Sequence, residues 1–354
     1  MRPRQLALLL PFFCLLAACE RSPHDPSRGG DAVSPSASLA IAPSAPLVEP
    51  HPSPADETAG RVISPVEPER VLLRRLADDP QLARHRDVLL AHFDVALDTA
   101  LEVQSAKLPG DRRARLLMSG PGDRRPMILT VDAEGNILWT KERPLAGIHP
   151  GTSEMVIAPG PAGQVVLIWY DKPSRVVAQR IWDTNGGIFA DFQLLSVEAC
   201  EALSALYWPG TGWVVAAAQP LGSARLQLLG ETGRLMWGSD SRGLPWVSRG
   251  GAPVTLALDG DDSVIAVQVG DPRKGAAGPD RLHAARYDAK GSPLWEEPVE
   301  LATIARAPAG IAPPRIAATR VEPGVLRLTL PKGASKAGVE LRSSGAVEAA
   351  RPAR

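Results

Sequence analysis

The sequence predicts an all-β fold built from a repeated four-stranded unit, and three observations carry that prediction. Pro109-Gly110, Pro159-Gly160, Pro209-Gly210 and Asp259-Gly260 recur at intervals of 50 residues, with a looser fifth copy at Pro323-Gly324. A second series of glycine turns interleaves with the first, at Gly135, Gly186, Gly233 and Gly291, with a degraded copy in LRSSGAVEA at 341–349. Trp139, Trp237 and Trp295 each stand four residues beyond a glycine of that second series, and all eight tryptophans lie between Trp139 and Trp295, which marks the packed region.

Residues 1–18 read as an export signal. Arg2 and Arg4 precede an apolar run from Leu6 to Leu16, the length of a signal h-region. Glu20 and Arg21 arrive before the roughly 20 apolar residues that a spanning helix needs. The run ends in Leu16-Ala17-Ala18-Cys19, which resembles the lipobox of bacterial lipoproteins. That resemblance implies cleavage before Cys19, acylation of its thiol and of the new amino group with palmitate-type chains, and loss of Cys14 with the signal. Glu20, in place of aspartate, implies the outer membrane of a Gram-negative envelope. Ordinary signal-peptidase cleavage, or an uncleaved anchor, is the alternative. Several acyl chains, at about 0.8 kcal/mol per buried methylene, give essentially permanent attachment.

Residues 19–66 are rich in Pro, Ser, Ala and charge, with no aromatic residue. Such a segment cannot bury enough apolar area to offset its ordering entropy, so it is expected to be a disordered tether. About 45 residues reach roughly 35 to 40 Å. Residues 67–100 are expected to be helical. Pro68 opens a short helix carrying Leu72, Leu73 and Leu76, and Asp79-Pro80 caps a second with Leu82, His85, Leu89, Phe93 and Ala96 at spacings of three and four. His85 and His92 lie seven apart, whereas a helical metal pair sits three or four apart, so they read as solvent or helix-edge residues.

The repeat region is expected over 101–350, followed by a disordered tail at 351–354. Each Pro-Gly or Asp-Gly pair sits between two short apolar runs, as in MVIAPGPAGQVVLIWYD and TLALDGDDSVIAVQV, the pattern of strand, tight turn and strand. The second series, VDAEGNILW, WDTNGGIFA, LGETGRLMW and YDAKGSPLW, puts glycine where a hairpin needs positive φ, beside an Asp or Asn able to bond its own backbone. Each period therefore holds two hairpins, and the recurrent tryptophans supply repeated core anchors. Four-stranded units at 40 to 50 residues are the pattern of β-propeller blades, whose faces are buried only by stacking on neighbours.

GQVVLIWYDKPSRVVAQRIWDTNGGIFADFQLLS resembles the blade repeat of secreted bacterial β-propellers, and GETGRLMW and DAKGSPLW resemble the quinoprotein-type tryptophan-docking repeat. Inner strands fall at 101–107, 154–158, 202–208, 254–258 and 315–321, giving a β-propeller of five four-stranded blades preceded by the tether and a short helical segment. No spare strand is left at either end, so closure is expected to rest on side-chain packing between the first and fifth blades. A ring of six or seven blades, or an antiparallel sandwich, is the competing architecture.

Composition and motifs then narrow the function. The 39 basic and 39 acidic residues balance, so no electrostatic footprint for nucleic acid is expected. The sequence shows no nucleophile elbow, phosphate-cradling loop or metal motif, and no cofactor is expected. His24 and His51 lie in the tether, and His149 and His283 are isolated in the repeats. Cys200 is the one cysteine besides Cys14 and Cys19; it reads as a buried thiol, with partner crosslinking as the alternative. Asp259, Asp261 and Asp262 are weak candidates for calcium, since a site needs about six or more oxygens and an acidic turn is the simpler reading. The lipobox and tryptophan-docking repeats together resemble the propeller lipoprotein of the outer-membrane β-barrel assembly machinery, a family with eight units against the five here. The expected function is a membrane-anchored, non-catalytic binding or scaffolding module of the cell envelope, with an envelope protein or glycan as partner. A hydrolase or lyase with its site in the central funnel is the alternative.

Overall fold

The computed structural model describes residues 69–75, 100–118, 126–141, 154–220, 222–239, 241–271, 279–306, 316–331 and 334–350, all within the compact unit Thr58–Arg354. They form an all-β, five-bladed β-propeller fold of consecutive antiparallel sheets. Blade 1 comprises β1 (Glu69–Arg75), β2 (Ala100–Lys107), β3 (Arg113–Met118), β4 (Pro126–Val131) and β5 (Ile137–Lys141). Blade 2 holds β6 (Met155–Pro159), β7 (Val165–Asp171), β8 (Val176–Trp182) and β9 (Ile188–Ser196). Blade 3 holds β10 (Ala202–Trp208), β11 (Gly212–Ala218), β12 (Arg225–Gly230) and β13 (Arg242–Gly243). In blade 4 the short β14 (Val247–Ser248) and β15 (Thr255–Leu258) share one edge of β16 (Ser263–Asp271), followed by β17 (Asp280–Asp288) and β18 (Val299–Ile304). Blade 5 is β19 (Ala317–Glu322), β20 (Val325–Thr329), β21 (Gly338–Arg342) and β22 (Val347–Ala349).

The sequence period explains which faces are covered. In the middle blades the strands are continuous apolar runs, such as GWVVAAA and SVIAVQVGD, and every residue of β11 and β16 is buried. A sheet covered on both faces imposes this pattern, whereas one open face produces alternation. Blade 5 alternates: β20 and β21 bury Leu326, Leu328, Val339 and Leu341 toward blade 4. Their other face carries the cross-strand pair Arg327–Glu340 at 2.7 Å, and Arg342 reaches Glu348 on β22 at 2.9 Å. Four apolar clusters fill the four seams between successive blades.

Each glycine hairpin of the second series closes in the same way. The amides of Gly135, Gly186, Gly233, Gly291 and Gly345 donate to the carbonyl three residues earlier, at 2.7 to 3.2 Å, with φ between 77° and 87°. Asp132, Asp183 and Asp288 accept amide hydrogen bonds from later in their own turns, as short carboxylates in turns do.

The tryptophans four residues beyond these glycines join the blades. The indole Nε1 of Trp139 donates to the Thr184 carbonyl in blade 2 at 3.1 Å, Trp237 to Ala289 in blade 4 at 3.0 Å, and Trp295 to Ser343 in blade 5 at 2.8 Å. Each acceptor lies two residues before the neighbour's turn glycine. Nearer the inner strands, Gln104 Nε2 donates to the Met155 carbonyl, Ser204 Oγ to Val254 and Thr255 Oγ1 to Ile316, again each to the following blade.

The seam between blades 2 and 3 is different, because Ala190 stands where the tryptophan would be. There Trp213 Nε1 reaches back to the Pro159 carbonyl at 2.6 Å and Tyr170 donates to the Glu198 carbonyl. Gln179 lies between Val177 and Ile181 on the face that packs toward blade 3, fully buried and with no hydrogen-bond partner among the described residues.

Two expectations require correction. Residues 69–75 form a strand, β1, where the first helix was expected: pairing with the inner edge of β2, Glu69 opposite Ser105 and Arg75 opposite Ala100, overrides local helical spacing. A spare strand therefore exists. The second expected helix, like the signal, tether and tail, lies outside the described residues. The expected packing of the first blade on the fifth involves side chains of β1 and of 100–103 that lie outside the described residues; the far face of blade 5 carries the two ion pairs, and β19 is exposed or half-exposed throughout. Among the glycines of the first series, Gly110, Gly210, Gly260 and Gly324 adopt positive φ, whereas Gly160 is extended at −140°. It is required for another reason: a Cβ there would lie 2.5 Å from the Trp213 ring.

Replacing Trp237 by Phe keeps the ring and deletes the donor, and is expected to cost about 1 kcal/mol. Gln179→Leu removes an unsatisfied buried amide and is expected to stabilise by about 1 kcal/mol. Denaturant midpoints at unchanged m-value measure both.

Candidate functional site

Turns and strand ends are where a propeller can place chemistry, so each candidate residue was located on them. Asp259 follows β15, is 3% exposed, and pairs with the Arg286 guanidinium of β17 at 3.0 Å. Ser343 Oγ of blade 5 donates to the other Asp259 oxygen at 3.0 Å. Arg286 Nη1 donates to the Ser343 carbonyl at 3.1 Å, the same carbonyl that accepts Trp295. Asp259 is thus committed to a latch between blades 4 and 5. Asp261 offers its backbone carbonyl to Trp208 Nε1 at 2.9 Å, and the exposed Asp262 lies 3.9 Å from Arg286. The three carboxylates do not converge on a cation site, and among the described residues no cluster of three or more His, Cys, Asp or Glu side chains is placed to hold a metal. Gly110, Gly160, Gly210, Gly260, Gly135, Gly186, Gly233 and Gly291, with Trp139, Trp237 and Trp295, are structural.

His283 on β17 is buried and stacks on Trp246, ring centroids 5.4 Å apart. Trp246 donates to Gln268 Oε1, and Gln268 Nε2 donates in turn to Ser248 Oγ and the Ala252 carbonyl. Burial pushes the His283 pKa below the ordinary histidine value, partly opposed by Glu300, which lies directly across the sheet. Nearby, buried Asp280 is paired with Arg249 at 3.0 Å and Arg306 at 3.6 Å. Burial raises the Tyr287 phenol to about 12. Cys200 is a buried thiol donating weakly to the Ala202 carbonyl. Cys19, His24, His51, His85, His92 and His149 lie outside the described residues.

Two surface features remain. An open groove of about 480 Å³ lies between the outer parts of blades 3 and 4, against Arg242, Tyr287, Pro293, Trp295 and Glu296. The second feature was missed in the sequence. Of the six exposed large apolar side chains among the described residues, Leu138, Ile188, Phe189, Met236, Leu294 and Val321, five occupy the outgoing arm of the second-series hairpin. Four of them, Leu138, Phe189, Met236 and Leu294, are the residue three beyond the turn glycine in blades 1 to 4; blade 5 has Glu348 there. Strand alternation explains their exposure: the next residue points into the neighbouring blade, so this one points away. The signal was readable as an apolar residue recurring before each docking tryptophan.

Neither a protein-family model nor a curated protein matches this chain. Among solved structures it is similar to the β-propeller domain of the Trilobed protease from Pyrococcus furiosus, at 7% identity over 71% of this chain and 84% of that one, with a TM-score of 0.37.

Asp259→Ala strands a mostly buried guanidinium and is expected to cost about 3 kcal/mol or more, while calcium or a chelator leaves the melting temperature unchanged; thermal melts check both. For His283, the lowered pKa means that the folded state favours the neutral ring. Its contribution is complete above about pH 6.5 and is lost as pH falls below that value, with a slope of at most about 1.4 kcal/mol per pH unit. His283→Phe is expected to flatten the loss of stability between pH 7 and pH 5 in denaturation series.

Proposed function

We propose that this chain is a membrane-anchored, non-catalytic β-propeller that serves as a binding or scaffolding module of the cell envelope. The fold supports a rigid platform with repeated surface positions. The observation that carries the reading is that, among the described residues, five of the six exposed large apolar side chains stand in one repeated hairpin arm. Singly scattered apolar side chains need no explanation, but one equivalent position left apolar and exposed in four successive blades offers a partner a repeated contact. Buried ionisable groups at the strand ends are engaged in structural pairs: Asp259 and Arg286 are tied to Ser343 of blade 5, and Asp280 pairs with Arg249 within blade 4.

Cys19 supplies the attachment in this reading. Acyl chains on its thiol and amino group hold the chain at the outer membrane, and residues 19–66 let the propeller stand clear of the lipid. The partner is an envelope protein or a glycan, not nucleic acid, since basic and acidic residues balance.

Affinity capture from detergent-solubilised membranes, comparing the native chain with Cys19→Ser, tests the proposal. The native chain is expected to fractionate with membranes and to recover a specific partner, and Cys19→Ser to be released. Recovery of no partner, together with turnover of a sugar or ester substrate, overturns it in favour of a hydrolase or lyase.

A further inference from the structure

The groove between the outer parts of blades 3 and 4 holds about 480 Å³, within the roughly 300 to 1,000 Å³ of small-molecule sites. None of the four residues of the exposed apolar row lines it, so it is a feature separate from that row.

Three features of its walls are left open by the fold. Tyr287 of β17 is 5% exposed, yet among the described residues its hydroxyl has no hydrogen-bond partner, and it is not sealed from solvent. Burial raises its pKa to about 12, so the phenol stays protonated and can donate. Arg242 of β13 stands close enough for its charge to oppose that rise. Gly291 makes room for it: a Cβ there would lie 2.9 Å from Arg242 Nε and 2.9 Å from the Trp237 ring. Among the described residues the Arg242 guanidinium has no carboxylate partner. Glu296 and Glu297 line the same groove, both exposed and both without an ion pair or side-chain hydrogen bond.

Charge selects the occupant. Arg286, also at the groove, is neutralised by Asp259 at 3.0 Å. One unpaired guanidinium is then left with two unpaired carboxylates. A phosphate or a sugar acid meets excess negative charge, and a simple cation leaves Arg242 and the phenol without an acceptor. A ligand with one carboxylate and one ammonium matches both sets: a planar carboxylate fits the guanidinium fork and the phenol donor, and the ammonium fits the glutamates. The strand edge at the groove, that of β13, is two residues long, too short to hold a peptide by strand addition.

We propose that this groove binds a zwitterionic amino-carboxylate, a free amino acid or the ends of a short peptide, with Arg242 and Tyr287 taking the carboxylate and Glu296 or Glu297 the ammonium. The inference rests on the binding-module reading and adds a second contact to it, with its own chemistry.

Nitrogen-resolved NMR titration of the full-length chain in detergent tests it, with the dipeptide Ala-Ala as probe. N-acetyl-Ala-Ala, which lacks the ammonium, and Ala-Ala amide, which lacks the carboxylate, are the controls, and free alanine separates the two sources. Ala-Ala is expected to shift the amides of 242, 287 and 291–297, and each control to bind about fivefold more weakly. Equal binding by alanine assigns the site to free amino acids, and tighter binding by Ala-Ala to peptide ends. Arg242→Gln is expected to bind Ala-Ala and its amide alike, and Glu296→Gln/Glu297→Gln to bind Ala-Ala and its N-acetyl form alike; both change exposed side chains and keep the native melting temperature. Tyr287→Phe keeps the buried ring and is expected to weaken Ala-Ala binding while leaving the preference for an ammonium intact. No shifts, shifts elsewhere, or equal binding of Ala-Ala and both blocked forms overturns the inference. If the native chain captures a membrane partner while the groove takes none of these probes, this inference fails and the binding-module reading stands; if it captures nothing, that reading fails whatever the groove binds.

Discussion

A donated indole proton at three of the four seams organises this molecule. The indole N–H of an outer-strand tryptophan in one blade reaches the turn carbonyl of the next, from Trp139 to Thr184, Trp237 to Ala289 and Trp295 to Ser343. A sheet covered on both faces by apolar neighbours gains burial but little registry, since hydrophobic contact is non-directional. The indole adds direction. Its acceptor is held by a hairpin that glycine makes possible, so turn and latch depend on each other, and a large aromatic surface is buried in the same contact.

The exceptions follow from the same constraint. Where Ala190 replaces the latch, blades 2 and 3 meet through the largest apolar cluster, Trp213 takes over the directional bond, and Gly160 must stay bare to admit its ring. Where blade 5 ends the series, Ala349 stands at the tryptophan position and the outward face changes to ion pairs. The seam between blades 4 and 5 compensates with a buried ion pair, Asp259 to Arg286, tied to the same Ser343 that receives Trp295.

What could be read from the sequence was whatever is local. Gly135, Gly186, Gly233 and Gly291 announce their turns because positive φ and an adjacent Asp are properties of four or five consecutive residues. The inner strand at Ala202–Trp208 was placed to the residue, and the others to within two, because each is pinned by a turn glycine. β1 was missed because only its distant partner β2 makes it a strand. The need for glycine at 160 was not legible because its constraint is a ring 53 residues away. Asp259 looked like a ligand because sequence does not show that Arg286 and Ser343 face it. The exposed apolar position was present in four repeats but is silent until burial separates it from the core residues beside it.

The chain carries eight tryptophans, few enough for each indole N–H to be followed separately by nitrogen-resolved NMR, and exchange of those protons with solvent is the most direct test of the latches. The indoles of Trp139, Trp237 and Trp295 should exchange slowly and together with the backbone amides of the strands they join. Rapid exchange at those three sites while the strands remain protected would show that the blades are held by apolar contact alone.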